Sequence, residues 1–143
     1  MFLHYDKFLQ QHGIPATIKL CSFASPMFYR ALYESRNFID DLSFVDCMLA
    51  GGAGMTKEEL ELYDDAFHKK GCSVPVVNGY GQNEMTGTVT LNQIHQNRRG
   101  SAGKPLHGVD VLVVHPETME PLPANCEGTI LECSETVFLE YEN

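Results

Sequence analysis

The stretch Val74-Pro75-Val76-Val77-Asn78-Gly79-Tyr80-Gly81-Gln82-Asn83-Glu84-Met85-Thr86 constrains this chain more than any other. Val76 and Val77 favour a pleated, buried backbone. Gly79 and Gly81 can take backbone angles closed to other residues, and they let another molecule approach the main chain. The stretch therefore reads as a strand ending in a sharp turn that presents Tyr80, Gln82, Asn83 and Glu84. An aromatic face, two amides and a carboxylate suit a flat heterocycle, polar oxygens and a cation. A Gly-rich β-turn with solvated polar residues fits the same letters, because short motifs match often by chance.

A second glycine-rich segment lies upstream. Phe44 to Ala50 is an apolar run that reads as a buried strand, and Gly51-Gly52-Ala53-Gly54 ends it. Thr56 and Glu59 then make a capping box, with Leu60, Tyr63 and Phe67 at helical spacing behind it. Lys69 and Lys70 suit the negative end of that helix, and Gly71 stops it. Strand, glycine loop, helix and strand make a βαβ unit with parallel strands. Such sheets bind ligands at the C-terminal ends of their strands. Both glycine segments then open on one edge, and a planar ring fits between the Ala53-Gly54 backbone and Tyr80. The first loop lacks a Walker lysine and dinucleotide spacing, so alone it is a phosphate cradle or a plain turn.

The remaining elements follow from local signals. His4 to His12 has helical spacing with Gly13 as its stop, and Ala16 to Phe23 alternates as a strand. Ser25-Pro26 opens a helix with serine as N-cap. Thr88–Leu91, Val109–Val114, Gly128–Cys133 and Thr136–Leu139 are short β-like runs separated by turn chemistry. The fold class is thus α/β: a parallel-sheet βαβ segment over residues 1–97, then a smaller all-β, barrel-like part over residues 98–143.

Composition narrows the function. The 143 residues carry 10 Lys+Arg against 19 Asp+Glu, a formal net charge of −9. That argues against nucleic acid or an anionic membrane as partner. Arg98-Arg99 reads as a solvated linker pair. No apolar run approaches the roughly 18 residues needed to span a bilayer, and the first residues lack signal-peptide features. The five cysteines have no C-x-x-C spacing and read as reduced, buried thiols of a cytoplasmic protein.

Taken together, the motifs carry a family resemblance. Gly51-Gly52-Ala53, Asn78-Gly79-Tyr80-Gly81-Gln82-Asn83-Glu84 and Gly100-Ser101-Ala102-Gly103-Lys104-Pro105-Leu106-His107-Gly108 stand in the order and spacing of the adenylate-forming superfamily. That superfamily includes acyl-CoA synthetases, luciferases and peptide-synthetase adenylation domains. Glu127-Gly128-Thr129-Ile130 resembles its next strand. Leu139-Glu140-Tyr141-Glu142-Asn143 resembles its Gly-Tyr-x-Asn element, with Glu140 in place of glycine.

The resemblance implies a ligase that joins a small-molecule carboxylate to ATP and then passes the acyl group to a thiol, commonly coenzyme A. It places the backbone of Gly52, Ala53 and Gly54 along the adenine and acyl pockets. Asn78 and Gly79 lie near the adenine amino group and Tyr80 against the ring, with Gly81 and Gln82 completing the nucleotide-binding run. Asn83, where the family usually has threonine, contacts the α-phosphate, and Glu84 helps to hold Mg²⁺. The family's phosphate loop, its ribose-binding aspartate and its catalytic lysine are not among these residues. The chain is therefore expected to be an internal piece of a longer synthetase, inactive alone and self-associating through uncovered sheet surface. A truncated, non-catalytic nucleotide-binding module is the alternative.

Overall fold

The computed structural model describes residues 11–13, 19–35 and 40–141. Five strands form one mixed sheet in the order β1-β2-β3-β4-β5. β1 (Leu20–Ala24), β2 (Val45–Ala50) and β3 (Val76–Gln82) are parallel neighbours. β4 (Gly87–Leu91) and the two-residue β5 (Lys104–Pro105) continue the sheet antiparallel. β6 (Val109–Val114) and β7 (Thr129–Ser134) pair as a separate antiparallel sheet. Helix α1 (Pro26–Glu34) links β1 to β2, and α2 (Lys57–His68) links β2 to β3. The expected parallel βαβ unit is present. The helix expected over His4–His12 falls almost wholly outside the described residues.

Both helices cover one face of the sheet. Tyr29 and Leu32 of α1 and Leu60, Tyr63 and Phe67 of α2 pack on Val45, Met48 and Val76. Tyr63 stacks on Phe67 at 6.1 Å between ring centroids, one helical turn apart. Tyr29 donates its buried hydroxyl to the Leu49 carbonyl at 2.9 Å, and burial pushes that phenol up to about 12. β2 buries Val45, Met48 and Ala50, leaves Cys47 and Leu49 half-buried and exposes Asp46, where its pairing with β1 skips a residue, so the run Phe44–Ala50 is not the fully buried strand expected. Helices cover a single face of the sheet here, and the other face keeps some exposure.

α2 forms as its letters dictate. The Thr56 hydroxyl accepts from the Glu59 amide at 3.1 Å, and the Glu59 carboxylate accepts from the Thr56 amide at 3.0 Å. Gly71, at φ +85°, makes the left-handed turn that ends it. In α1, Ser25 stands at the N-cap but its side chain makes no capping hydrogen bond.

The Glu59 carboxyl is held below its usual range, first by the Thr56 amide and then by Arg30. Stabilisation from a lowered carboxyl is full above its unfolded value and lost as pH falls through the folded one. Thr56→Ala removes the hydroxyl that accepts from the Glu59 amide but keeps the Thr56 amide that holds the carboxylate, so it should lower stability by about 1 kcal/mol, read as a shifted urea midpoint. The contribution of the Glu59 carboxylate should fade on acidification in both proteins alike.

Three local readings are corrected. Thr136–Leu139 forms no strand; the Thr136 carbonyl and hydroxyl and the Phe138 amide bond to the turn after β3 instead of to a neighbouring strand. Of the five free cysteines only Cys72 is buried. Arg99 is not a solvated linker residue: its guanidinium donates to Asp64 at 2.5 Å, and Asp64 is 2% exposed.

Candidate functional site

The site is built where β2 and β3 end side by side. Ala50 pairs with Asn78, so the loop Gly51–Gly54 leaves the sheet beside Gly79. The two glycine segments do open on one edge. Gly52, at φ +83°, turns the loop away from the strand in a conformation that suits glycine. The backbone of Gly52, Ala53 and Gly54 faces Asn78, Gly79, Tyr80 and Gly81 across a cleft of about 350 Å³. A cavity of about 420 Å³ shares Gly52, Gly79 and Gly81 with that cleft and is lined also by Phe23, Ser25, Gly51, Gln82, Asn83 and Thr88. Tyr80 borders both.

The glycines of β3 have a different cause from the one expected. Gly79 and Gly81 lie inside the strand, not in a turn after it, and neither has a positive φ. What they lack matters instead. A Cβ on Gly81 would stand 2.0 Å from the Gly87 carbonyl oxygen, and one on Gly79 would stand 2.9 Å from the Thr90 carbonyl oxygen. The pair lets β4 press against β3.

Asn78 is 8% exposed and its side-chain oxygen Oδ1 has no hydrogen-bond partner. Buried polar atoms are almost always paired, so this one calls for a ligand donor or a water. It borders the smaller cleft. The Asn78 backbone carbonyl is fully engaged, accepting from the Asn92 amide at 3.0 Å and the Asn92 side chain at 3.1 Å. Asn92 also reaches the Ser101 carbonyl at 2.6 Å and thereby ties the 98–101 segment beneath the cleft. Sequence reading did not single out Asn92.

Beyond β3 the chain makes one 3-10 turn, Asn83–Met85, closed by Thr86 at φ 57°. Gln82 donates to Glu132 of β7 at 2.6 Å. Asn83 is exposed on the rim of the larger cavity. Glu84 accepts from the Tyr141 hydroxyl, and that contact holds its carboxyl below the usual range. Burial, then the Glu132 carboxylate, raises the Tyr80 phenol. Neither Glu132 nor Tyr141 was marked as a site residue from sequence, although Tyr141 lay within a noted motif.

A parallel βαβ unit with a glycine loop and an aromatic strand end around one cleft is the α/β arrangement in which ligands bind at the C-terminal ends of strands. The chain belongs to the AMP-binding enzyme family, whose model matches residues 12–142. It is 29% identical over 143 residues to "Putative acyl--CoA ligase YdaB" of Bacillus subtilis, covering 99% of this chain and 26% of that protein. It is 31% identical over 121 residues to "Probable CoA ligase CCL5" of Humulus lupulus, covering 81% of this chain and 21% of that one. Among solved structures it superposes on apo MatB from Rhodopseudomonas palustris with TM-score 0.73 and 26% identity, over 95% of this chain and 26% of that chain. The chain thus spans about a quarter of the length of these relatives.

Proposed function

We propose that this chain is the central nucleotide- and acyl-binding segment of an ATP-dependent, AMP-forming acid–thiol ligase. The carrying observation is Asn78, which lines the cleft between the Gly52–Gly54 backbone and Tyr80 and whose buried Oδ1 has no partner. An adenine ring between these surfaces would bring its amino group to this side chain, whose oxygen would turn toward the cleft to accept it. The names of the relatives, acyl-CoA and CoA ligases, support the reading. So does the resemblance to a MatB structure described as ATP bound, 26% identical with TM-score 0.72.

In this reading a carboxylate seated in the larger cavity attacks the α-phosphorus of ATP. A carboxylate oxygen–phosphorus bond forms and the bond to pyrophosphate breaks, giving an acyl adenylate. The thiol of coenzyme A then takes the acyl group and AMP leaves. The Asn83 amide donates to an α-phosphate oxygen, and Glu84 supplies a fixed anionic oxygen. In-line displacement at phosphorus needs positioning and charge neutralisation more than a protein nucleophile. Mg²⁺ fits such a site, because it is commonly held by one or two carboxylates together with substrate phosphates. Among the described residues no group of three or more His, Cys, Asp or Glu side chains could hold a metal without such help. Glu84 would be the protein ligand, and the bound ion would neutralise phosphate charge.

The complete reaction belongs, in this reading, to the whole enzyme and not to these residues alone. A cytoplasmic setting goes with it. Phe23 at 65% and Leu112 at 49% exposure leave apolar surface on which the chain would self-associate.

The test is an NMR titration of the ¹⁵N-labelled chain with AMP and, separately, IMP. An inosine ring presents an acceptor where adenine presents a donor. We expect amide shifts at residues 52–54 and 78–80, and AMP binding tighter than IMP by on the order of tenfold, as for one discriminating hydrogen bond. Equal affinities, or shifts confined to β6 and β7, would remove the reading.

A further inference from the structure

We propose that Tyr141 is a positioning residue for Glu84: its hydroxyl fixes the carboxylate so that acceptor positions stay free for a divalent cation. The proposal rests on the functional reading above for the identity of that cation's companion, a nucleotide. What carries it is a segment folded back from β7. Thr136 begins it, its amide donating to Ser134 Oγ at 2.9 Å. From there the segment bonds to the turn after β3 four times. Thr86 Oγ1 donates to the Thr136 carbonyl at 3.0 Å, and Thr136 Oγ1 donates to the Met85 carbonyl at 3.2 Å. The Phe138 amide donates to the Glu84 carbonyl at 3.0 Å, and the Tyr141 hydroxyl donates to Glu84 Oε1.

The geometry is that of a brace. The strap grips the Glu84 backbone through Phe138 and its carboxylate through Tyr141. The two rings hold each other edge to face, 4.7 Å between centroids at 70°. Glu84 sits on a single 3-10 turn, an element too short to hold a side chain rotamer by packing. A carboxylate has two oxygens and about four acceptor positions, so the Tyr141 phenol and the backbone amide of Glu84 itself, which also lowers the carboxyl, leave acceptor positions for a cation. A phenol also suits the task electrically, because it donates without bringing a charge that would compete with the cation. The charged and titratable neighbours are Tyr141 on the strap, Tyr80 on β3 and Glu132 on β7, which Gln82 holds. Among these neighbours no cation pairs with Glu84.

Tyr141→Phe removes only the hydroxyl, and Tyr141 is 64% exposed, so the strap should stay folded. Unmoved amide signals of Thr86 and Phe138 would establish that it does. Two measurements on the full chain test the proposal. In the first, the Glu84 side-chain carbon is titrated by ¹³C NMR; its midpoint should rise toward the ordinary carboxylate value in Tyr141→Phe. In the second, Mn²⁺ is added with AMP and the broadening at Glu84 is followed; the affinity should fall about tenfold in the variant, as for one lost hydrogen bond to a charged group. An unchanged midpoint would overturn the contact. Tighter Mn²⁺ binding in Tyr141→Phe would overturn positioning, because Tyr141 would then be blocking the carboxylate. A shifted midpoint with no Mn²⁺ binding to either protein would overturn the cation role by removing the functional reading itself, a failure distinct from that of the contact.

Discussion

Gly81→Ala should destabilise the folded chain by about 3 kcal/mol or more, at the upper end of what overpacking costs. The new Cβ would stand 2.0 Å from the Gly87 carbonyl oxygen and 2.8 Å from both the Gly87 carbonyl carbon and the Thr88 Cα. All three are backbone atoms and cannot swing aside as a flexible side chain would. β3 pairs with β4 at this point through an irregular register between Tyr80 and Gly81, and the two strands would have to part. Gly54 is the control. Nothing lies within 4 Å of its Cβ position and its φ is not positive, so Gly54→Ala should change stability by less than about 0.5 kcal/mol. Urea unfolding of both variants is the measurement. A Gly81→Ala midpoint equal to that of the unsubstituted chain would show that β3 and β4 do not meet as described, and would return Gly81 to the role of making room for a ligand.

Asp64→Ala should cost about 3 kcal/mol, the lower end for breaking a buried ion pair. Asp64 lies on the inner side of α2 and is essentially solvent-free. It accepts from the Val76 amide at 2.7 Å and from the Arg99 guanidinium at 2.5 Å. The Asn97 side chain donates to the Val76 carbonyl at 3.2 Å. One carboxylate thus joins a helix, the start of the site strand and the segment that returns to β5. Alanine leaves a buried amide without an acceptor and a guanidinium without its partner. Arg99 is 37% exposed at its side chain, and water that reaches it keeps the loss at the lower end. Asp64→Asn retains the acceptor for Val76 and should lose less than half as much. Hydrogen exchange at the Val76 amide separates the two: protection should collapse in the alanine variant and persist in the asparagine one. Equal losses in both variants would mean that the charge, and not the acceptor, matters here.

Apart from the site, the features legible in the letters were those whose physics closes within a few residues. Thr56 and Glu59 satisfy each other across one turn, Gly71 ends the same helix, and the apolar spacing of Leu60, Tyr63 and Phe67 sets the buried face. The βαβ order then made β2 and β3 parallel neighbours and brought Gly51–Gly54 beside Asn78–Gly81. The family resemblance was legible for the same reason, since its motifs are contiguous runs in a set order.

Other features needed partners far away along the chain. Arg99 looks like a surface arginine until Asp64, 35 residues earlier, proves to be buried beneath it. The strand-like letters of Thr136–Leu139 meet no neighbouring strand, because the turn at Glu84–Thr86 takes their hydrogen bonds. Gly81 is glycine because Gly87 lies against it, a contact that no local preference encodes. The sequence by itself determined the βαβ unit around α2, the order of its glycine segments and the family. The tertiary structure decided which polar groups those elements bury and pair, because a hydrogen bond between distant residues depends on where the whole sheet carries them. Tyr141 and Glu84, 57 residues apart, meet for that reason alone.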